Sequence, residues 1–389
     1  MEAQALADHR KSAAAAQEGF RLDAKARRLA SLRESRAALR SASLLQDGPG
    51  SEDVAGGNPE HVPVFYLDGP AHAQRRAAIS RFFTPKAIQT RYRTIMENTT
   101  AHVLDDLRAT GTARLDRIAF ELTVAVAANI VGLTETSPGQ MAPRLQRLLR
   151  TAFTPATGLG KLRDRIIRSV YGVWFYHADV RPAVARRRAE PGDDIISECL
   201  AKGYSDKAIL IECMTYATAG MVTTREFIVM VAWHLFENPE LRAQFLEGDE
   251  DAQMAILLEI LRLEPIASVL YRRAGEGVCD QVLGEVRGGE RLAIDLRAVH
   301  GDAQSVGACP HAIDAGRARR EGQKAEFLSF GDGPHHCPGW QVALHETRTF
   351  IDQLLRVPGI ALARAPDIIW NSQLMSYELR DAQLTCAVT

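Results

Sequence analysis

The stretch Phe330-Gly331-Asp332-Gly333-Pro334-His335-His336-Cys337-Pro338-Gly339 decides how this chain is read. It places an aromatic ring, three glycines and one cysteine close together, and a run with helical character follows from about Trp340 to Leu355. A thiolate just ahead of a helix is stabilised by unpaired backbone N–H groups and by the helix dipole. Glycines beside it let the backbone come close to a flat ligand. These are the requirements of a cysteine that binds haem iron through sulfur, where electron donation favours O–O cleavage. The plainer reading is a buried structural cysteine in a glycine-rich turn.

Working outward, the totals allow a sizeable core. The 389 residues are 46% hydrophobic and only 6% aromatic, with a formal net charge of −1. Near-neutral charge argues against nucleic acid as a main partner. Cys199, Cys213, Cys279, Cys309, Cys337 and Cys386 are spread widely, unlike a secreted disulfide framework. A reducing, cytoplasmic setting suits them. No apolar run near the N-terminus is long enough for a signal peptide or membrane anchor. Cys309 and His311, with His335, His336 and Cys337, offer zinc-type ligands, but at a spacing unlike a standard finger.

The spacing Phe-x-x-Gly-x-x-x-Cys-x-Gly, filled by Phe330, Gly333, Cys337 and Gly339, resembles the cysteine loop of the cytochromes P450. Other stretches resemble the same family in the same order. His72 and Arg76 share one face of an expected helix and precede Phe83-Thr84-Pro85. Ala219-Gly220-Met221-Val222-Thr223 matches the central-helix pattern except at its acid position, which holds Val222. Glu259 and Arg262 form Glu-x-x-Arg, and Arg272 follows ten residues later. The resemblance covers about residues 64–355.

The resemblance implies a mainly α fold with small β-sheets, the cytochrome P450 fold. It divides the chain into a variable N-terminal segment, 1–59, and a catalytic domain, 60–389. It implies haem b (iron protoporphyrin IX) with Cys337 as axial thiolate. His72, Arg76, Arg272 and His335 meet the haem propionates, while Phe330, Gly333 and Gly339 shape the loop. Thr223 handles protons near bound oxygen, and Glu259 and Arg262 form a structural pair. Met221, Val222, Ile266, Ala267 and Val269 are expected beside the substrate, and 371–375 is a further candidate turn. The implied activity is a cytoplasmic monooxygenase acting on a small or medium-sized organic molecule, with neither nucleic acid nor membrane as partner. Electrons come from an external ferredoxin or flavodoxin and an NAD(P)H-dependent reductase. A peroxide-using or non-hydroxylating variant such as oxidative coupling, and a non-catalytic haem carrier or sensor, stay open at this point.

The remaining expectations are local. Residues 24–45 read as one or two solvated basic helices, 48–59 and 154–160 as loops, and 62–67 as a strand. Helices are expected over 87–109, 114–133 and 143–153. The stretch 161–188 reads as a basic, aromatic-bearing helix pair in the lid position of the family. Ser205 is expected to cap a long central helix ending at Asn238-Pro239. Residues 276–294 read as strand–turn–strand around Gly288-Gly289.

Overall fold

The structure, a computed structural model, describes residues 8–48, 51, 57–152, 159–371 and 375–388. The expected loops at 48–59 and 154–160 and the turn at 371–375 lie partly outside these residues. The chain forms two compact units. One comprises Met1–Asp53, Met230–Trp340 and Ile368–Glu378; the other comprises Val54–Val229, Gln341–Asp367 and Leu379–Thr389.

The first unit is built on a four-stranded sheet. Its strands lie in the order Arg27–Leu29, Arg291–Asp295, Val269–Ala274 and Leu44–Asp47. Only the first pairing is parallel. Residues 24–45 therefore differ from the expected solvated helices: they supply two strands flanking one helix, Leu32–Arg40. The reason is non-local. Leu29, Leu32, Leu39 and Leu44 are buried in one core with Leu292, Ile294 and Phe327. Strand formation answers to such neighbours more than to intrinsic preference. Arg28 pairs with Asp295 at 2.7 Å, and Arg291 pairs with Asp23 and Asp47 at 2.6 Å each. Ser31 caps the helix: its hydroxyl accepts from the Glu34 N–H and donates to the Glu34 carboxylate at 2.6 Å.

The N-terminal stretch is also fastened. The Ser12 hydroxyl and the backbone N–H groups of Lys11 and Ser12 donate to the buried Glu264 carboxylate, and Arg297 donates to Ser12 Oγ at 2.7 Å. Within 276–294, Val278–Asp280 pairs with Gly284–Val286, and Gly289 turns the chain into Arg291–Asp295.

The second unit is mostly helical. Arg93–Thr110, Leu115–Val131, Pro138–Ala152, Leu159–Phe175 and Arg181–Ala189 follow in order. Leu115–Val131 is the most enclosed, with Leu122, Val124 and Val131 fully buried. A three-stranded sheet joins Thr112–Arg114, Gln383–Thr385 and Ala361–Arg364. The expected strand at 62–67 is instead a pair of 3-10 turns, Pro59–His61 and Val64–Tyr66. Pro63 between them lacks the N–H that a ladder needs. Ser205 accepts from the Ala208 N–H and starts the central helix. That helix runs Asp206–Tyr216, widens into a π-helical turn at Ala217–Val222, and resumes at Thr223–Glu237.

Candidate active site

In the first unit the cysteine loop is closed by backbone hydrogen bonds. The Cys337 N–H donates to Phe330 C=O at 2.9 Å, and the His336 N–H donates to Gly333 C=O at 3.1 Å. Cys337 is half-buried and sits three residues ahead of helix Trp340–Leu355. The Trp340 ring meets His336 edge-on at 6.0 Å and Phe330 at 6.2 Å.

Gly333 is irreplaceable for two reasons. Its φ is +67°, and a Cβ there would lie 2.5 Å from Leu39 O and 3.0 Å from Arg40 Cα. The end of helix Leu32–Arg40 thus abuts the loop at Gly333. Asp332 strengthens this junction. Its carboxylate accepts from the Gly333 N–H at 2.8 Å and from Arg40 Nε at 3.0 Å. Burial disfavours the Asp332 carboxylate, but these donors outweigh burial and hold its pKa below the usual range.

In the same unit lies the Glu259 network. Arg262 grips Glu259 with two hydrogen bonds of 2.8 Å. Arg317 Nε donates to Glu259 Oε1 at 2.9 Å, and the Asp314 N–H does so at 3.1 Å. Both guanidiniums are almost fully buried and spend their other N–H groups on the carbonyls of Val306, Cys309 and Ala312. Arg262 also reaches His300 C=O. Arg317 is the third member of the network, and sequence spacing gave no sign of it.

His300 was also missed, because nothing distinguishes it in the chain. Its Nε2 accepts the Leu328 N–H at 3.2 Å, so its Nδ1 carries the proton donated to Arg262 C=O at 3.0 Å. Burial, then the Arg262 charge, push its pKa down to about 3. Below the unfolded value near 6.5 the unfolded chain takes up a proton that the folded site refuses. Stability from this group is therefore complete above pH 6.5 and is lost as pH falls toward 3. The expected slope is about 1.4 kcal/mol per pH unit. Urea unfolding of native and His300→Gln protein between pH 7 and 5 checks this: the native midpoint should fall more steeply, and parallel curves would contradict it.

The other expected residues of this unit are placed as follows. Arg272 is buried in strand Val269–Ala274, opposite Gln46, and donates to the Gln46 side chain and to Tyr271 C=O. Arg273 lies 4.0 Å from Asp47. Ile266 is buried and Ala267 half-buried. Val269 packs into a cluster with Tyr271, Ala293 and Met375, on the face to which strand alternation turns it. His335 ends the short turn Gly333–His335. Among the described residues no three His, Cys, Asp or Glu side chains converge as a metal site, so the zinc arrangement is not formed.

In the second unit, His72 is buried and Arg76 half-buried on helix Gly69–Ser80. Between them Arg75 makes a buried ion pair with Glu212 and donates to Pro59 and Val62 C=O. That structural arginine is indistinguishable from Arg76 in the sequence. Thr223 Oγ1 donates to Ala219 C=O at 2.6 Å across the π-helical turn. Such turns occur often at functional sites. A Cβ added at Gly220 would meet nothing within 4 Å. Met221 is fully buried and Val222 nearly so.

Glu226 is tied up. It accepts from Arg225, from the Leu379 N–H at 2.7 Å and from Arg380 at 3.2 Å, while Arg225 lies over the Phe120 ring. Glu346, on helix Trp340–Leu355, differs: one carboxyl oxygen has no hydrogen-bond partner, and burial raises its pKa to about 8.

Taken unit by unit, the residues suit a haem: in the first, the half-buried Cys337 thiol precedes a helix start; in the second, Gly220 has open space beside it, and His72 and Arg76 lie on one helix. Loop and fold together define a haem-thiolate oxidoreductase. No family model matches the chain. It is 28% identical over 318 residues to a biotin biosynthesis cytochrome P450 of Bacillus subtilis (strain 168), spanning 79% of this chain and 75% of that one. It is 26% identical over 340 residues to mycinamicin IV hydroxylase/epoxidase of Micromonospora griseorubida, spanning 83% and 78%. The solved P450BioI, in complex with acyl carrier protein ligated to hexadec-9Z-enoic acid, matches with a TM-score of 0.75. It has 23% identity and 92% of each chain is covered. Over about four fifths of its length the chain is similar to bacterial cytochromes P450, and it shares their fold; these relatives support a haem-dependent monooxygenase activity. No helix among the described residues is long and apolar enough to cross a membrane.

Proposed function

We propose that this chain is a cytochrome P450 that oxidises a small or medium-sized organic molecule with haem b held through Cys337 Sγ. Electrons come from an external ferredoxin or flavodoxin and its NAD(P)H-dependent reductase. The observation carrying this reading is the loop: Cys337, its N–H pinned to Phe330 C=O, just ahead of a helix N-terminus. There the dipole and unpaired N–H groups favour a thiolate. His72, Arg76, Arg272 and His335 are the proposed propionate partners, and both units with the N-terminal segment make up one catalytic domain. The bound haem supplies oxygen activation; the protein positions substrate and moves protons.

Thr223 is the proposed proton-handling residue. Its hydroxyl proton goes to Ala219 C=O, so its oxygen lone pairs are available to hold a water or a substrate hydroxyl. Val222 neither donates nor accepts, so the proton must arrive through water or substrate. Thr223→Ala should raise hydrogen peroxide released per NAD(P)H and lower product, while Val222→Asp should alter coupling without being required for turnover. Equal coupling in native and Thr223→Ala protein would remove Thr223 from this role.

A second reading concerns how the substrate arrives. One structural neighbour is complexed with a loaded acyl carrier protein. The exposed apolar and basic face of helix Leu159–Phe175 favours carrier delivery here also. Screening organic compounds by haem spectral shift, then weighing products, tests the activity. NAD(P)H consumption without product for every shifting compound would favour a carrier or sensor.

A further inference from the structure

Helix Leu159–Phe175 leaves uncovered what a solvated helix would bury. Ile166, Val170, Val173 and Trp174 are 54%, 57%, 59% and 46% exposed. They are four of the seven large apolar side chains exposed among the described residues, so the exposure is concentrated here. At about 100° per residue they fall within one arc of the helix. The far side packs inward: Phe175 is fully buried, and a Cβ at Gly172 would meet Leu148. The stripe is also held in place. Trp174 stacks on Tyr171 with centroids 5.8 Å apart, Arg144 lies over Trp174, and Arg147 over Tyr171. Arg144 is fixed in turn by Asp179.

Charge points to the partner. Residues 138–175 contain seven basic residues and a single acid, Asp164, in a chain whose net charge is −1. Arg163, exposed one turn before Ile166, lies on the same arc as the apolar stripe. Two copies of so basic a segment would repel each other, which disfavours self-pairing. A cation within the apolar arc suits an acidic protein helix better than hydrocarbon.

We propose that the exposed face of helix Leu159–Phe175, centred on Ile166, Val170 and Val173 with Arg163 beside them, docks a small acidic carrier protein bearing the substrate as an acyl chain. This rests on the carrier-delivery reading. Apolar contact at the centre supplies affinity, and the basic surround supplies orientation and association rate.

The test uses haem-loaded full-length protein and a bacterial acyl carrier protein bearing a hexadecenoyl chain, titrated calorimetrically at low and physiological salt. Val170→Ser/Val173→Ser and Arg163→Glu should each weaken binding, the first at least tenfold. Free hexadecenoic acid should give the same haem spectral shift with native and variant proteins, showing that fold and substrate site are intact. Loaded carrier that binds native and variants alike would overturn the docking face while leaving carrier delivery standing. Free acid that shifts the spectrum while loaded carrier fails to bind native protein would overturn carrier delivery itself. Three further outcomes overturn the proposal: variant-sensitive binding to phosphatidylglycerol vesicles without carrier binding, a native dimer that the variants dissolve, or slowed ferredoxin reduction with carrier binding unchanged.

Discussion

Cys337→Ala protein, reduced and exposed to carbon monoxide, should lack the absorption band of thiolate-ligated haem. Alanine offers no donor atom, and thiolate donation produces both that band and the tendency toward O–O cleavage. The loop should survive the change. Its closure rests on backbone bonds from the Cys337 and His336 N–H groups and on the Asp332–Arg40 contact, none of which uses sulfur. The variant should therefore fold, bind haem weakly if at all, and show no product formation with a redox partner. Absorption spectra of purified native and variant protein at equal concentration make the comparison. A variant with the native carbon monoxide spectrum would show that another residue binds the iron.

Glu259→Ala should damage folding rather than chemistry. The carboxylate neutralises Arg262 and Arg317, each about 1% exposed, and also accepts the Asp314 N–H. Removing it leaves two buried guanidiniums facing each other without their anion. Breaking a buried pair in this way costs about 3–5 kcal/mol, against a typical total stability of about 5–15 kcal/mol. The expected result is a lower thermal midpoint and a much smaller yield of haem-loaded protein. Turnover per bound haem should stay near native. Normal folding and haem loading with lost turnover would instead make Glu259 part of the reaction.

Much of the site could be read from the chain because its motifs are local. The cysteine loop is one continuous turn whose glycines and capping aspartate act on their immediate neighbours, so its shape is written in ten consecutive residues. The central helix was readable for the same reason: Ser205 starts it, Pro239 ends it, and the apolar run between them needs no distant partner to become helical. The 3.6-residue period places Glu259 beside Arg262 on any helix.

What the sequence could not disclose depends on atoms distant along the chain. Residues 27–29 and 44–47 become strands because Arg291–Asp295 and Val269–Ala274 offer them ladders some 230 to 260 residues away. Arg75 and Arg76 are adjacent and chemically identical; only Glu212 and the carbonyls of 59–62 make the first a buried ion-pair partner. Arg317 and His300 join the Glu259 network through contacts 58 and 38 residues long. Glu226 is engaged by the Leu379 N–H and Arg380, 153 and 154 residues on. By itself the sequence determined the cysteine loop, the central helix and the Glu-x-x-Arg pair, because backbone geometry and short-range capping act within a few residues. Only the tertiary structure decided which arginine is ion-paired, which acid is hydrogen-bonded and which helix face stays uncovered. Burial and charge pairing are set by whichever side chains folding brings alongside.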